Sequence, residues 1–442
     1  MTSCAAVPLD LSLCVRAAMS TSGHVGVSTR AGDTLAKRGG NTPARCSLLR
    51  PVRREVSCVR IDLHYYGGVP MTDAGNAGPV PTDRRYGNDA VIAGYRNLEH
   101  WAQTADRLGY DTMWLTEHHF QYEGYEVTPN LIQFGQHLTS ITTRLKSGQA
   151  FNVVPQWHPL RLAEDYATAD ILSRGRMRFG VGRGTVPREA QTLGAVIASG
   201  DNAMSAELDQ VNRELFEESM EVIKLAWAQE RFSYSGKHFT FPPPGIPDRG
   251  ATVTELTLVP RPLGPVEVYQ PMSPGKTLEY VARVGHKGVI ALAPPALIKQ
   301  VWDGYGEIAE QHGRTLRPGQ DRTLNIHTHV GRTREDAFRT ARDGHDEFCR
   351  FLAPYGRFKT YAAADGFAFQ PTLEQSVSEQ VMAIGSIDDV VDTLGTYRDL
   401  LGLEEVMLFP DLPGLTREQM DEQLHLIAEE VLPRLGIRLP AA

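Results

Sequence analysis

From Val59 onward the chain alternates between strand-like and helix-like hydrophobic patterns, and it does so eight times. Short apolar runs such as "VRIDLHYY", "DTMWLTEHH", "LKSGQAFNVV" and "MRFGVGRG" read as strands buried on both faces. Longer stretches with apolar residues at helical spacing follow them, among them "AVIAGYRNLEHWAQTADRLG" and "HPLRLAEDYATADILSRG", closed by Gly109 and Gly175. "TPNLIQFGQHLTSIT" reads as a helix with Thr128 as cap and Pro129 in its first turn. The alternation resumes with "VEVYQP", "GVIALA", "RTLNIHTHVG" and "EEVMLFPD". Strict strand–helix alternation implies a parallel sheet, since each helix carries the chain back to the starting end. Eight units in about 380 residues fit an α/β fold of the closed (β/α)8 type, a TIM barrel with insertions at its C-terminal face. An open doubly wound sheet is the alternative.

Two connections are too long for a minimal barrel: residues 185–206 after the fourth strand and residues 353–384 before "GSIDDVVDTLGTYRDL". Long loops in a compact domain are usually lids or disorder, and both fall on the side where barrel active sites form. Residues 1–56 mix Ser, Thr, Gly and Arg without sustained periodicity. They are expected to be an extension, disordered or the result of a start placed too early, with the barrel spanning 57–442.

The charge balance is −8 and carries no basic stripe, which argues against nucleic acid as a partner. No apolar run approaches the roughly 20 residues of a membrane helix. Four cysteines (Cys4, Cys14, Cys46 and Cys58) precede or open the first strand and Cys349 stands alone, with no metal-ligand spacing. That usage fits a reduced, cytoplasmic chain.

Chemistry in a barrel is built at the C-terminal ends of the strands. There the second strand carries Glu117, His118, His119 and Phe120 in a row. Side chains alternate, so Trp114, Thr116 and His118 share one face, and Met113, Leu115, Glu117 and His119 the other. Met113 and Leu115 suit the helix-facing side, which puts His118 on the pocket side. An imidazole there can donate or accept a proton near neutral pH. Glu117 can orient a neighbouring imidazole or pair with an arginine. Adjacent histidines face opposite ways and cannot easily share one metal ion, and His327 with His329 is a weak second pair.

"GVGRG", Gly180 to Gly184, closes the fourth strand. Its spacing is not a dinucleotide fingerprint, and no acidic residue stands at the required distance. Its glycines allow close backbone approach, and Arg183 is a phosphate-type donor. Arg213, placed in the first turn of "NRELFEESMEVIKLAW", adds a second cation; a surface pair with Glu217 is its plain reading.

Together these stretches resemble the bacterial luciferase-like flavin monooxygenases. The likeness rests on "DTMWLTEHHF", "HPLRLAEDYATADILSRGRMRFGVGRG", "VEVYQPMSPGKTLEYVARVG", "GSIDDVVDTLGTYRD" and "EEVLPRLG", in that order, from about Val59 to Gly436. The resemblance implies a barrel that binds reduced FMN and dioxygen and oxidises a small organic substrate through a C4a-peroxyflavin. His118 matches the family's catalytic histidine, with His119 beside it. Arg183 and Arg213 match positions that hold the flavin phosphate. Ala150-Phe151 matches a non-proline cis peptide beneath the flavin, and Ser273 falls near flavin contacts of the fifth strand. Gly182 stands where light-emitting members carry a reactive cysteine, so light emission is not implied. The loop at 353–384 matches no known subclass and leaves the substrate open. The chain has no nicotinamide fingerprint, so a separate flavin reductase is the expected partner, along with further copies of the chain itself. Two other functions remain on the same fold: a deazaflavin-dependent oxidoreductase and a non-catalytic flavin-binding protein.

Overall fold

The computed structural model describes residues 59–197, 203–355 and 370–440. The extension expected at 1–56 lies outside the described residues. Eight parallel strands form one closed wall: β1 (Arg60–Tyr65), β2 (Thr112–Leu115), β3 (Lys146–Gln149), β4 (Met177–Gly182), β5 (Val268–Pro271), β6 (Lys287–Ala291), β7 (Arg322–Gly331) and β8 (Glu405–Phe409). Each pairs with the next. Leu63 of β1 lies opposite both Met113 of β2 and Leu408 of β8, and Val268 of β5 lies opposite Phe179 of β4. That last pairing closes the barrel and removes the open-sheet alternative.

The surrounding helices are α1 (Asn88–Leu108), α2 (Leu131–Ser140), α3 (Pro159–Leu172), α4 (Pro187–Thr192), α5 (Ala203–Ala228), α6 (Lys276–Val284), α7 (Pro295–Gln311), α8 (Arg334–Leu352), α9 (Leu373–Ser378), α10 (Ile387–Leu401) and α11 (Arg417–Leu426). Strand alternation sorts side chains as expected from the sequence. Met113 and Leu115 join the large core between barrel and helices, with Leu98 and Leu138. Trp114 turns inward with Tyr269, Val289 and Met407. Its Nε1 donates to Asp62 Oδ2 at 2.8 Å, and its ring meets Tyr269 edge-on at 4.6 Å. At the N-terminal end of the strands Arg60 pairs with Glu405 and donates to the Tyr269 hydroxyl at 3.0 Å. Burial, then the nearby Glu405 charge, push the Asp62 carboxyl well above its usual range. This lower half of the barrel is filled.

The structure corrects several boundaries. β2 ends at Leu115, so Glu117 to His119 lie in the loop that follows it. Asn130 caps α2, its Oδ1 accepting from Gln133 N at 2.8 Å. Thr128 is occupied elsewhere: its hydroxyl donates to Thr116 O at 2.7 Å and ties down the loop. "LKSGQAFNVV" is interrupted after Gln149, and Asn152–Val153 resumes beside β4. The first long connection contains α4. The described part of the second contains α9 and an added strand, Ala383–Ser386, paired with the end of β7. Because α5 begins at Ala203, Arg213 sits well inside that helix rather than in its first turn.

β3 and β4 approach so closely that only glycine fits at 180. A Cβ there would lie 1.7 Å from Gln149 O. Overpacking typically costs about 1–3 kcal/mol. Gly180→Ala should lower stability by at least that range, read from urea midpoints; a loss below about 0.5 kcal/mol would show that the strands can separate.

Candidate active site

Above the filled half, at the C-terminal ends of the strands, a cavity of about 480 Å³ opens. Small-molecule sites span about 300–1,000 Å³. Its wall includes Glu117, His118, Ala150, Phe151, Arg183 and Ser273 from the residues singled out in the sequence. His119 and Arg213 are not part of that wall.

Glu117 is a buried anchor. Oε1 accepts from Trp157 Nε1 at 3.1 Å and lies 3.1 Å from His119 Nε2; Oε2 accepts from Val153 N at 3.1 Å. It binds the loop after β2 to the segment after β3, where the Ala150–Phe151 peptide is cis. His119 does not line the cavity, whereas Glu117, which strand alternation placed on the same face, does.

His118 reaches the cavity between two buried carboxylates. Its Nε2 lies 2.9 Å from Glu126 Oε2, and its Nδ1 lies 3.1 Å from Glu189. Glu126 comes from the loop before α2 and Glu189 from α4, where it also accepts from Gln121. Burial alone would lower the imidazole's pKa, but Glu126 and then Glu189 outweigh it and push it up to about 10. At neutral pH His118 is therefore a cation and a proton donor. Its two carboxylates escaped sequence reading: each is a lone Glu in an irregular stretch, with no spacing that announces it.

Across the barrel mouth, β4 and β5 shape the other end. Arg183 donates to Asp209 Oδ1 at 2.7 Å, and Arg213 approaches Asp209 Oδ2 at 3.5 Å. Arg213 therefore pairs with Asp209 rather than with Glu217. Burial would raise the Asp209 carboxyl, yet Arg183 and then Arg213 hold it below the ordinary carboxylate range. Ser273 and Thr277 also line the cavity, Thr277 in the first turn of α6. Gly275 caps that helix without a side-chain bond, leaving first-turn N–H groups for an anion. Gly184 adopts φ 86°, a conformation that favours glycine, beside this end.

His64, Asn325 and His327, which also line the cavity, carried no motif that would single them out for it. Burial pushes His64 down to about 4, and His327 well below the usual imidazole value. His329, its sequence neighbour in the weak metal pair, instead lies 2.8 Å from Thr340 Oγ1 of α8.

The family model described as luciferase-like monooxygenase matches residues 75–404. The chain belongs to the luciferase-like monooxygenase family. The oxygenase component of a flavin-dependent trigonelline monooxygenase from Acinetobacter baylyi is similar at 23% identity over 360 residues, 77% of this chain and 89% of that one. Among solved structures, the oxygenating constituent of 3,6-diketocamphane monooxygenase from Pseudomonas putida, in complex with FMN, superimposes with TM-score 0.65 at 20% identity. That match covers 87% of this chain and 99% of the other. An F420-dependent secondary alcohol dehydrogenase matches with TM-score 0.56 at 14% identity, covering 85% and 98%. At such identities the structures speak to the fold. Among the described residues no helix is long and apolar enough to cross a membrane.

In this luciferase-like monooxygenase the His118 clamp couples stability to pH. The folded chain holds the proton to about 10, against 6.5 for a free imidazole. The clamp's contribution is complete below pH 6.5 and is lost as pH rises toward 10. The parent's stability advantage over His118→Gln, from urea midpoints, should therefore shrink across that window. An advantage independent of pH would mean that His118 is neutral in the fold.

Proposed function

We propose that this enzyme is the oxygenase component of a two-component system, using reduced FMN and dioxygen to oxidise a small organic substrate. The observation that carries the reading is the cavity's polarity. An anion seat of Arg183, Ser273, Thr277 and the start of α6 lies at one end, and a clamped imidazolium on the wall. The donors at that end suit a flavin phosphate. A guanidinium, two hydroxyls and uncapped helix N–H groups are what a phosphate accepts from. Bound there, reduced FMN would supply the two electrons with which one oxygen atom enters the substrate and the other leaves as water.

The chain's own part is to bind, position and manage a proton. Arg183 would anchor the phosphate, with Arg213 reinforcing the charge through their shared Asp209. The backbone at Ala150-Phe151 and the small Gly182 leave room for a flat ring against the barrel wall. Phe351 and Tyr355 line the cavity and limit water. His118 would donate from the wall to oxygen as negative charge develops there, with Glu126 and Glu189 holding the imidazole in its charged, proton-bearing form beforehand. The missing nicotinamide fingerprint, and a relative that is itself an oxygenase component, support a separate reductase.

Anaerobic titration tests the cofactor. Charge-assisted contacts contribute about 1.5–3 kcal/mol. Arg183→Ala should weaken reduced FMN by about tenfold or more and reduced riboflavin, which lacks the phosphate, far less. Equal losses would make the arginine structural, and tighter binding of reduced deazaflavin than of FMN by the parent would turn the assignment to a deazaflavin enzyme.

The proton donor is tested with oxygen. When the reduced complex is mixed with oxygen and no substrate, His118→Ala should release hydrogen peroxide about tenfold faster than the parent, since a positioned donor typically matters by 10²–10⁴-fold. FMN affinity should stay within a few-fold. Peroxide release at the parent's rate would remove His118 from the oxygen chemistry.

A further inference from the structure

Two neighbouring residues of α4 grip the loop after β2 in different ways. Glu189 faces His118, with Nδ1 at 3.1 Å from either carboxylate oxygen. Arg188 reaches the same loop, its Nη1 and Nη2 donating to the two oxygens of Glu123 at 2.7 and 2.9 Å. A guanidinium fork on a carboxylate fixes direction as well as distance. Nη2 also donates to Gln121 Oε1 at 3.3 Å, and the other end of that amide, Nε2, donates to Glu189. The Tyr122 ring carries the Arg188 guanidinium at 4.6 Å and that of Arg85 at 3.9 Å. Gln121, Tyr122 and Glu123 thus hold Arg188 from three consecutive positions, and the residue after Arg188 is the one that meets His118.

The segment carrying α4 is tied to the rest of the chain at its two ends. Gly184 and Gly194 flank it, both at φ 86°. A Cβ at Gly194 would meet nothing within 4 Å, so glycine serves conformation there rather than space. Just outside the two glycines one buried amide pins the backbone: Asn212 Nδ2 donates to Arg183 O at 3.3 Å and to Val196 O at 2.6 Å. Between the pins, Ala190 packs in a small cluster with Ala195 and Ile197, apart from the main core. Thr185, Val186 and Glu189 line the cavity.

We propose that the stretch from Gly184 to Gly194 is a flap over the cavity, and that Arg188 is the positioning residue that holds it closed with Glu189 on His118. The glycines and the Asn212 pins make its hinges, and the Arg188 contacts make its latch. Closed, the imidazole has two carboxylates; open, it keeps Glu126 alone and holds its proton less firmly. Shutting the cavity and arming the proton donor become one motion. The inference rests on the reading of His118 as that donor. The other groups around His118 do not replace Glu189. Glu117 is spent on Trp157, Val153 and His119. Phe351 meets the His118 ring edge-on at 6.4 Å. Tyr355, just after α8, faces the same carboxylates, and burial raises its hydroxyl and keeps it neutral.

The direction of one titration separates the two roles open to Arg188. As a bare cation it opposes protonation of His118, so its removal would raise the pH at which the imidazole titrates. As a latch it favours protonation through Glu189, so its removal lowers that pH. His118 is followed by NMR in the full chain carrying isotope-labelled histidine, with His118→Gln identifying its signal. Arg188→Gln should lower the titration by at least about one pH unit, since an opposite charge at this distance typically matters by about 1–3. Amides of residues 187–192 should exchange with deuterium about tenfold faster or more. In a Glu189→Gln background, Arg188→Gln should no longer lower the titration. Arg188→Lys keeps the charge but loses the fork; it should shift the same way by less, and it serves where Arg188→Gln fails to fold. A titration unchanged or raised by Arg188→Gln, a fall that persists in the Glu189→Gln background, or unaltered exchange would each overturn the flap. The titration needs neither flavin nor oxygen, so its failure overturns the flap alone, and failure of the peroxide test overturns the donor reading alone.

Discussion

The pairing of β4 with β5 turns a twisted sheet into a wall without edges, and the rest of the molecule answers to that closure. A closed interior must be filled, and here it is filled unevenly. In the lower half Trp114, Tyr269 and Met407 interlock above the Arg60–Glu405 pair. That packing needs thin walls opposite the large rings; a Cβ at Gly148 would lie 2.3 Å from the Trp114 ring. In the upper half the small residues Ala150, Gly182 and Ala291 stand in the wall, and space appears above the plug.

The eight strands were legible because each is buried on both faces and set off by a helix of different period. Their ends were less so. The polar–apolar alternation runs on through Thr116 to His119, and only the partner strands decide that pairing stops at Leu115. Thr128 and Asn130 are both good caps, and the choice fell to Asn130 because Thr128 is spent on Thr116 O. In the site, the inward direction of His118 followed from alternation, whereas its charge did not. That depends on Glu126 and Glu189, brought from two other loops by the fold. The placing of Arg213 in a first turn failed because the helix carrying it begins at Ala203, nine residues before the Asn212 start read from the sequence.

One residue type does two kinds of work in this cavity. His118 faces two carboxylates and is charged; His64 and His327 face an amide and phenyl rings and are neutral. The difference lies entirely in the neighbours. Under the proposed function it would allow proton donation at one wall without placing a cation at the other.

Asp209 gives the anion seat a character of its own. It stands between Arg183 and Arg213 as an anion already tethered to the protein. Under the proposed two-component reading the flavin would be borrowed for each turnover and returned, so the seat would be repeatedly vacated. Two guanidiniums left facing one another would then repel and drift. With Asp209 between them, loading would be an exchange of one anion for another rather than an addition to bare charge, and unloading would have a substitute ready. Such a seat trades grip for turnover, as a carrier's docking point does and a prosthetic group's socket does not.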